Sequence, residues 1–151
     1  MCRHTAGGIE VAEGGLSSQF REYSSWGISQ FLDTRCMVLD RVYTLSASIK
    51  LINQDGSSYI CVQGKVAYNY SRCPKAQLRS RVGTTDRVDS YLTIATDINT
   101  SNTGDWDTMV GTFTVTEEQA NAGSVLLAWY DTPAHVKVIL DNITLSCVSG
   151  C

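Results

Sequence analysis

The sequence has no apolar run that approaches the length of a bilayer-spanning helix, no amphipathic helical period sustained over several turns, and no segment repeated at a fixed interval. These absences argue against a membrane-spanning helix, a helical bundle and a solenoid. Charge is sparse as well: Asp, Glu, Lys and Arg make up 18% of the chain and the formal net charge is -3. Neither a nucleic acid nor an anionic membrane is expected as a partner from that balance. The two histidines, His4 and His135, stand apart, and no CxxC pair accompanies them, so a zinc site is disfavoured. Glycine-rich phosphate loops, HExxH and GxSxG are missing too. The first fifteen residues, MCRHTAGGIEVAEGG, lack an apolar signal core. A secreted chain that begins this way is expected to be a processed piece or an excised module of a longer precursor.

What is present points the other way, to an oxidised, strand-rich domain. Six cysteines, Cys2, Cys36, Cys61, Cys73, Cys147 and Cys151, are an even number without metal-ligand spacing, which favours disulfides and a secreted location. Cys61 and Cys73 flank one hairpin-like segment and are the expected pair, with the other four left open. The triplets Asn69-Tyr70-Ser71, Asn99-Thr100-Ser101 and Asn142-Ile143-Thr144 are sequons compatible with secretion. At 151 residues the chain has room for one domain with a core of its own. That domain is expected to span residues 1–151, with 1–13 as a loose N-terminal segment in which only Ile9-Glu10-Val11 offers a short strand.

Strand signals recur along the chain. Residues 26–32 alternate Trp26, Ile28, Gln30 and Leu32 against Gly27, Ser29 and Phe31, and residues 41–52 alternate Tyr43, Leu45, Ala47, Ile49 and Leu51 against small polar partners. Such period-two patterning marks a strand with one buried face. Asn53-Gln54-Asp55-Gly56 reads as a turn, and residues 58–70 as one or two strands. The polar, basic stretch 69–89, with Arg79, Arg81 and Arg87, reads as a long loop, its arginines solvated or at a strand edge. Strands are expected again at 90–96, 106–116 and 125–130, with a loop at 97–105 and one helical turn within 117–123. Many short strands at roughly 8–12-residue spacing predict an all-β fold, a two-sheet antiparallel β-sandwich of jelly-roll type.

The stretch 129–145 stands out. Two apolar runs flank Thr132-Pro133-Ala134 and read as a hairpin, and an Asp141-Asn142 pair interrupts the second run. Carboxylates do not sit in such strands without a partner, so Asp131 and Asp141 both need an explanation.

Four pieces in order resemble one family: Arg21 ahead of Trp26-Gly27, the strand opening Tyr43-Thr44-Leu45-Ser46-Ala47, Trp106 before Gly111-Thr112-Phe113-Thr114-Val115, and Leu140-Asp141-Asn142-Ile143. Together, from about Gly14 to Leu145, they resemble the β-jelly-roll carbohydrate-binding modules of families 4, 9 and 22, with a galactose-binding-like sandwich. The resemblance implies a non-catalytic module that binds a polysaccharide such as xylan or a β-glucan and targets an attached or partner glycoside hydrolase to it. It assigns sugar contact to Arg21, Trp26, Tyr91, Trp129 and Asp131. The last two fall in a segment where Trp replaces the family's Tyr and Asp its Glu. It also implies a structural Ca2+ held by Asp141 and by backbone oxygen near Gly14, a hard-ligand set suited to that ion. Stacking of pyranose faces on aromatic rings and pairing of hydroxyls with Asp or Arg agree with those residue types.

Plainer readings stand beside these. Trp106 is expected in the core. Trp26 and Trp129 serve either as contacts or as packing residues, and Val125 and Leu127 share the face of Trp129. Asp141 is either a calcium ligand or a carboxylate capped by backbone N–H groups. Alternatives of another class are a polysaccharide lyase or hydrolase on a β-sandwich, with His135 as the place to look, and an extracellular protein-binding or structural module.

Overall fold

The computed structural model describes residues 3–6, 9–10, 29–62, 73–83, 88, 90–99, 106–131 and 136–149. Among them the strands are β1 (Arg3–Ala6), β2 (Ile9–Glu10), β3 (Ser29–Leu32), β4 (Val42–Ile52), β5 (Lys75–Arg81), β6 (Ser90–Asn99), β7 (Asp107–Thr114), β8 (Ser124–Tyr130) and β9 (Lys137–Ser149), with a 3-10 turn at Thr34–Cys36 and one helical turn, α1 (Glu117–Ala120).

Every pairing is antiparallel, in the order β1-β9-β4-β7-β6-β5-β8-β3, and β2 also pairs with β9. β6 makes this one path into two layers. Its first half pairs with β5, as in Ile94 opposite Ala76, and its second half pairs with β7, as in Ala95 opposite Thr112. The first sheet holds β1, β2, β9, β4 and β7; the second holds β5, β8 and β3; β6 runs from one to the other. The expected all-β two-sheet antiparallel sandwich is therefore the fold.

Period-two patterning explains the layers. On β4, Tyr43, Leu45, Ala47, Ile49 and Leu51 are all buried while the intervening residues are only half-buried. They meet Met109 and Phe113 of β7, Leu140 and Leu145 of β9, and, from the second sheet, Leu78, Ile94, Leu127 and Trp129. The Tyr43 and Phe113 rings stack with centroids 5.6 Å apart, and the Tyr43 hydroxyl donates to the Cys36 carbonyl at 2.6 Å. Satisfying that hydroxyl lets a whole aromatic side chain be buried without an unpaired polar atom. Trp106 is 43% exposed rather than core. The inward positions of β7 are Met109, Gly111 and Phe113, and Trp106 has the opposite parity.

Residues 3–6 and 9–10, expected in a loose segment, pair with β9. The expected hairpin over 129–145 does not form: β8 pairs with β5 and β3, β9 with β4, β1 and β2, so the chain crosses from one sheet to the other between them. The Asp141-Asn142 pair turns out to be a β-bulge. Ser46 faces Thr144 and Ser48 faces Asp141, so one residue of β4 opposes two of β9, and Asn142 has φ 50. An extra residue in left-handed conformation reverses the inward parity. Leu140 and Ile143, three apart, are consequently both buried. Asn is among the few non-glycine residues that tolerate this conformation.

The expected Cys61–Cys73 disulfide is present, with an S–S distance of 2.06 Å. Cys36 and Cys147 are disulfide-bonded as well.

Candidate functional site

β5 carries the residues around which a site can be built. In Lys75–Arg81, Ala76, Leu78 and Ser80 turn inward, while Gln77, Arg79 and Arg81 turn to the outer face. This strand falls in the stretch read as a basic loop. Only Ala76 and Leu78 supply apolar signal, and the inward Ser80 breaks it, so the alternation was masked by the arginines on the outer positions. With neighbours on both sides, β5 is an inner strand of the second sheet.

The register places four outer-face residues in one row across four strands. Phe31 of β3 faces Leu126 of β8, Leu126 faces Arg79 of β5, and Arg79 faces Tyr91 of β6. The ends of the row are open, with Phe31 and Tyr91 each 61% exposed, whereas Leu126 between them is 7% exposed. Three strand spacings put the two rings about 14 Å apart. The next row is Ser29, Ala128, Gln77 and Thr93.

Polar groups are ordered on this face. Arg79 Nε donates to Gln77 Oε1 at 3.1 Å, and the guanidinium carbon lies 6.0 Å from the Tyr91 ring centroid. The amide and the ring thus hold the guanidinium from two sides, and a cation at that distance gains from the ring quadrupole. The terminal amino groups of Arg79 point to no acceptor among the described residues, and a guanidinium fork matches a carboxylate or carbonyl acceptor. Across β5, the hydroxyls of Thr93 and Tyr130 lie 3.4 Å apart.

The residues singled out from sequence do not assemble. Arg21, Trp26 and Gly14 lie outside the described residues. Tyr91 is on the exposed row. Trp129 is 1% exposed, and its ring N–H donates to Met109 Sδ of the opposite sheet at 3.4 Å. It faces the core, away from Tyr91, and has no surface to offer a sugar ring. Asp131 leaves β8 with φ 66 and pairs with Lys75 at 3.4 Å, its side chain only 16% exposed. The carboxylate Oδ1 of Asp141 accepts the Asn142 backbone N–H at 2.7 Å, and the Asn142 side-chain amide approaches Ser48 Oγ at 3.5 Å. That is the capped-carboxylate arrangement within the bulge. No group of three or more His, Cys, Asp or Glu side chains placed to hold a metal ion occurs among the described residues. Sequence reading missed Arg79, Gln77 and Phe31; the two parities of residues 75–81 and 29–32 were the signal that could have found them.

No protein-family model matches the chain, and no curated protein matches it. Solved structures similar to it are cyclases from Fischerella. A cyclase of Fischerella sp. TAU in complex with 4-(1H-indol-3-yl)butan-2-one is 21% identical with a TM-score of 0.41, the match covering 81% of this chain and 56% of that one. A Stig cyclase, Fisc, from the same source in complex with (3Z)-3-(1-methyl-2-pyrrolidinylidene)-3H-indole is 22% identical with a TM-score of 0.41, covering 81% and 55%. An apo cyclase from Fischerella sp. is 22% identical with a TM-score of 0.39, covering 91% and 58%. The chain thus spans a little over half the length of these proteins.

These findings correct the functional expectation. The structures just named are cyclases, two of them in complex with a small molecule and one apo, and none is a carbohydrate-binding module; Trp129, meant to stack on sugar, is a core residue. A non-catalytic polysaccharide-binding module serving a glycoside hydrolase, with a polysaccharide as its partner, is set aside.

Proposed function

We propose that the chain is a β-sandwich domain that takes a small planar organic molecule with a carboxylate or carbonyl group on the outer face of its second sheet. The observation that carries this reading is the row Phe31–Leu126–Arg79–Tyr91, with exposed aromatic rings at both ends and an oriented guanidinium beside one of them. The rings offer stacking surface, Leu126 an apolar floor, and Arg79 a paired donor for the acceptor group. Gln77 restrains Arg79, which lowers the cost of ordering that side chain when ligand arrives. A carbonyl bound to Arg79 is also polarised, so the same contact serves turnover as well as binding.

The test is calorimetric titration with indole-3-propionate and with 4-(1H-indol-3-yl)butan-2-one, followed by product analysis after prolonged incubation. Saturable binding that Arg79→Met weakens at least tenfold, with the melting temperature unchanged, supports the reading. Equal affinity of Arg79→Met and the unaltered chain overturns it.

We also propose that the domain works in an oxidising, extracytoplasmic compartment. The described cysteines, Cys36, Cys61, Cys73 and Cys147, are all disulfide-bonded, and such bonds persist where glutathione does not reduce them. Fractionation of the native source checks this; a reduced chain in the cytosolic fraction would reject it.

A further inference from the structure

The outer face of the second sheet carries another polar feature, one row beyond Arg79. Thr93 of β6 lies in the row of Gln77 and Ala128, two residues along from Tyr91. Tyr130, the last residue of β8, lies opposite Lys75 of β5, one row further on. Its hydroxyl nevertheless comes within 3.4 Å of the Thr93 hydroxyl. Because β5 runs between β8 and β6, the Tyr130 side chain crosses over β5, between the positions of Lys75 and Gln77. Thr93 is exposed and Tyr130 only half-buried, and their contact lies on the solvent side. Hydrogen bonds between hydroxyls are strong near about 2.7–2.8 Å. At 3.4 Å the two groups approach without saturating each other, so the pair keeps lone pairs and a proton for a third group.

Elsewhere this face is rich in donors. The outward side chains of β5 are Lys75, Gln77, Arg79 and Arg81. Ammonium and guanidinium groups only donate, and Gln77 Oε1 is engaged by Arg79 Nε. Phe31, Leu126 and Ala128 have no polar side-chain atom. Hydroxyl oxygens are therefore where the face accepts, and Thr93 and Tyr130 bring two of them together. Tyr91 pairs with Arg79, and Thr93 is one two-residue step further along β6. That step separates Arg79 from the hydroxyl pair by about 7 Å along the strand.

Resting on the assignment of this face as the ligand site, we infer that its ligand is bipolar. A carboxylate or carbonyl sits on the Arg79 fork and, about 7 Å away across the planar ring, an N–H or O–H donates to the Thr93–Tyr130 pair. Thr93 and Tyr130 thus select this class over planar acids that have no donor. A ligand without the donor excludes water from the two hydroxyls and offers them nothing in exchange.

The experiment is calorimetric titration with indole-3-propionate, whose ring N–H and carboxylate lie on opposite sides of the five-membered ring, and with 1-methylindole-3-propionate, in which a methyl group replaces that hydrogen. The unaltered chain should bind the methylated compound about fivefold more weakly, the worth of one neutral hydrogen bond. The double variant Thr93→Val, Tyr130→Phe removes both hydroxyls and keeps their shapes. It should bind the two compounds within about twofold of each other, with Tm unchanged, because the lost contact is long and exposed. A difference that persists in the double variant is a steric effect of the methyl group and overturns the inference. Equal binding of the two compounds by the unaltered chain overturns it as well. Arg79→Met separates the two levels. If it weakens both compounds while the methyl group makes no difference, the face stands as the ligand site and the bipolar class falls. If it leaves both affinities unchanged, the assignment of the face falls, and the bipolar class with it.

Discussion

The two faces of the second sheet are built from the same four strands, yet they use aromatic residues for opposite ends. Inside, Trp129, Ala76 and Ile94 form one row. Trp129 is 1% exposed and spends its only polar atom on Met109 of the other sheet. Outside, three register positions away, Phe31 and Tyr91 are 61% exposed and bracket Leu126 and Arg79. Parity along a strand, not residue type, decides which aromatic stabilises the fold and which is available to a ligand. A tryptophan is a good sugar platform only when its strand position turns it outward; here it is turned in.

Substitutions can break or sharpen that contrast. The largest effect is expected at the inner face: Trp129→Ala leaves a large void and should cost about 3–5 kcal/mol in chemical denaturation. A cost under about 1 kcal/mol would move Trp129 out of the core. On the outer face, Arg79→Met should leave the unfolding free energy within about 0.5 kcal/mol. It should weaken binding of indole-3-propionate by about 1.5–3 kcal/mol, as expected for a hydrogen bond to a charged group. Tyr91→Ala and Phe31→Ala should each reduce affinity by about 1 kcal/mol through lost stacking. Their circular-dichroism melts should match that of the unaltered chain. The smallest effect is expected between the faces, at the Lys75–Asp131 pair, 3.4 Å apart with Lys75 53% exposed. Asp131→Asn should cost under about 1 kcal/mol, since such a pair is screened and Asn accepts the same left-handed backbone. A binding defect as large as that of Arg79→Met would instead put Asp131 in the ligand site.

Much of the architecture was legible in the sequence wherever alternation is strict. Residues 41–52 are β4 almost to the residue, and the helical turn expected within 117–123 is α1. Legibility failed where polar residues occupy inward positions or where parity slips. β5 has Ser80 inside and arginines outside, so a strand paired on both sides looked like a solvated loop. β9 carries its apolar residues two apart up to Leu140 and then three apart to Ile143, which is the trace of the bulge at Asp141-Asn142. Read without that slip, Asp141 stood as a carboxylate inside a regular strand, to be explained either by a calcium ion or by backbone capping.

The candidate site was less legible than the fold. Tyr91 was singled out, yet its neighbours Arg79 and Phe31 come from strands 12 and 60 residues away in sequence, and only the β3–β8–β5–β6 order brings them into one row. Strand order is set by long-range packing of the two sheets, which no local pattern encodes. For Trp129 the sequence left sugar contact and packing open, and the packing reading, which Val125 and Leu127 on its face supported, is where the structure puts it.

The most direct test of the outer-face assignment is a 15N–1H correlation titration of the full chain with indole-3-propionate. The account predicts that the largest amide shifts fall on Phe31, Gln77, Arg79, Tyr91 and Leu126, with the inward positions Leu78 and Trp129 moving less. Shifts confined to α1, or no saturable shifts on the row, would contradict it.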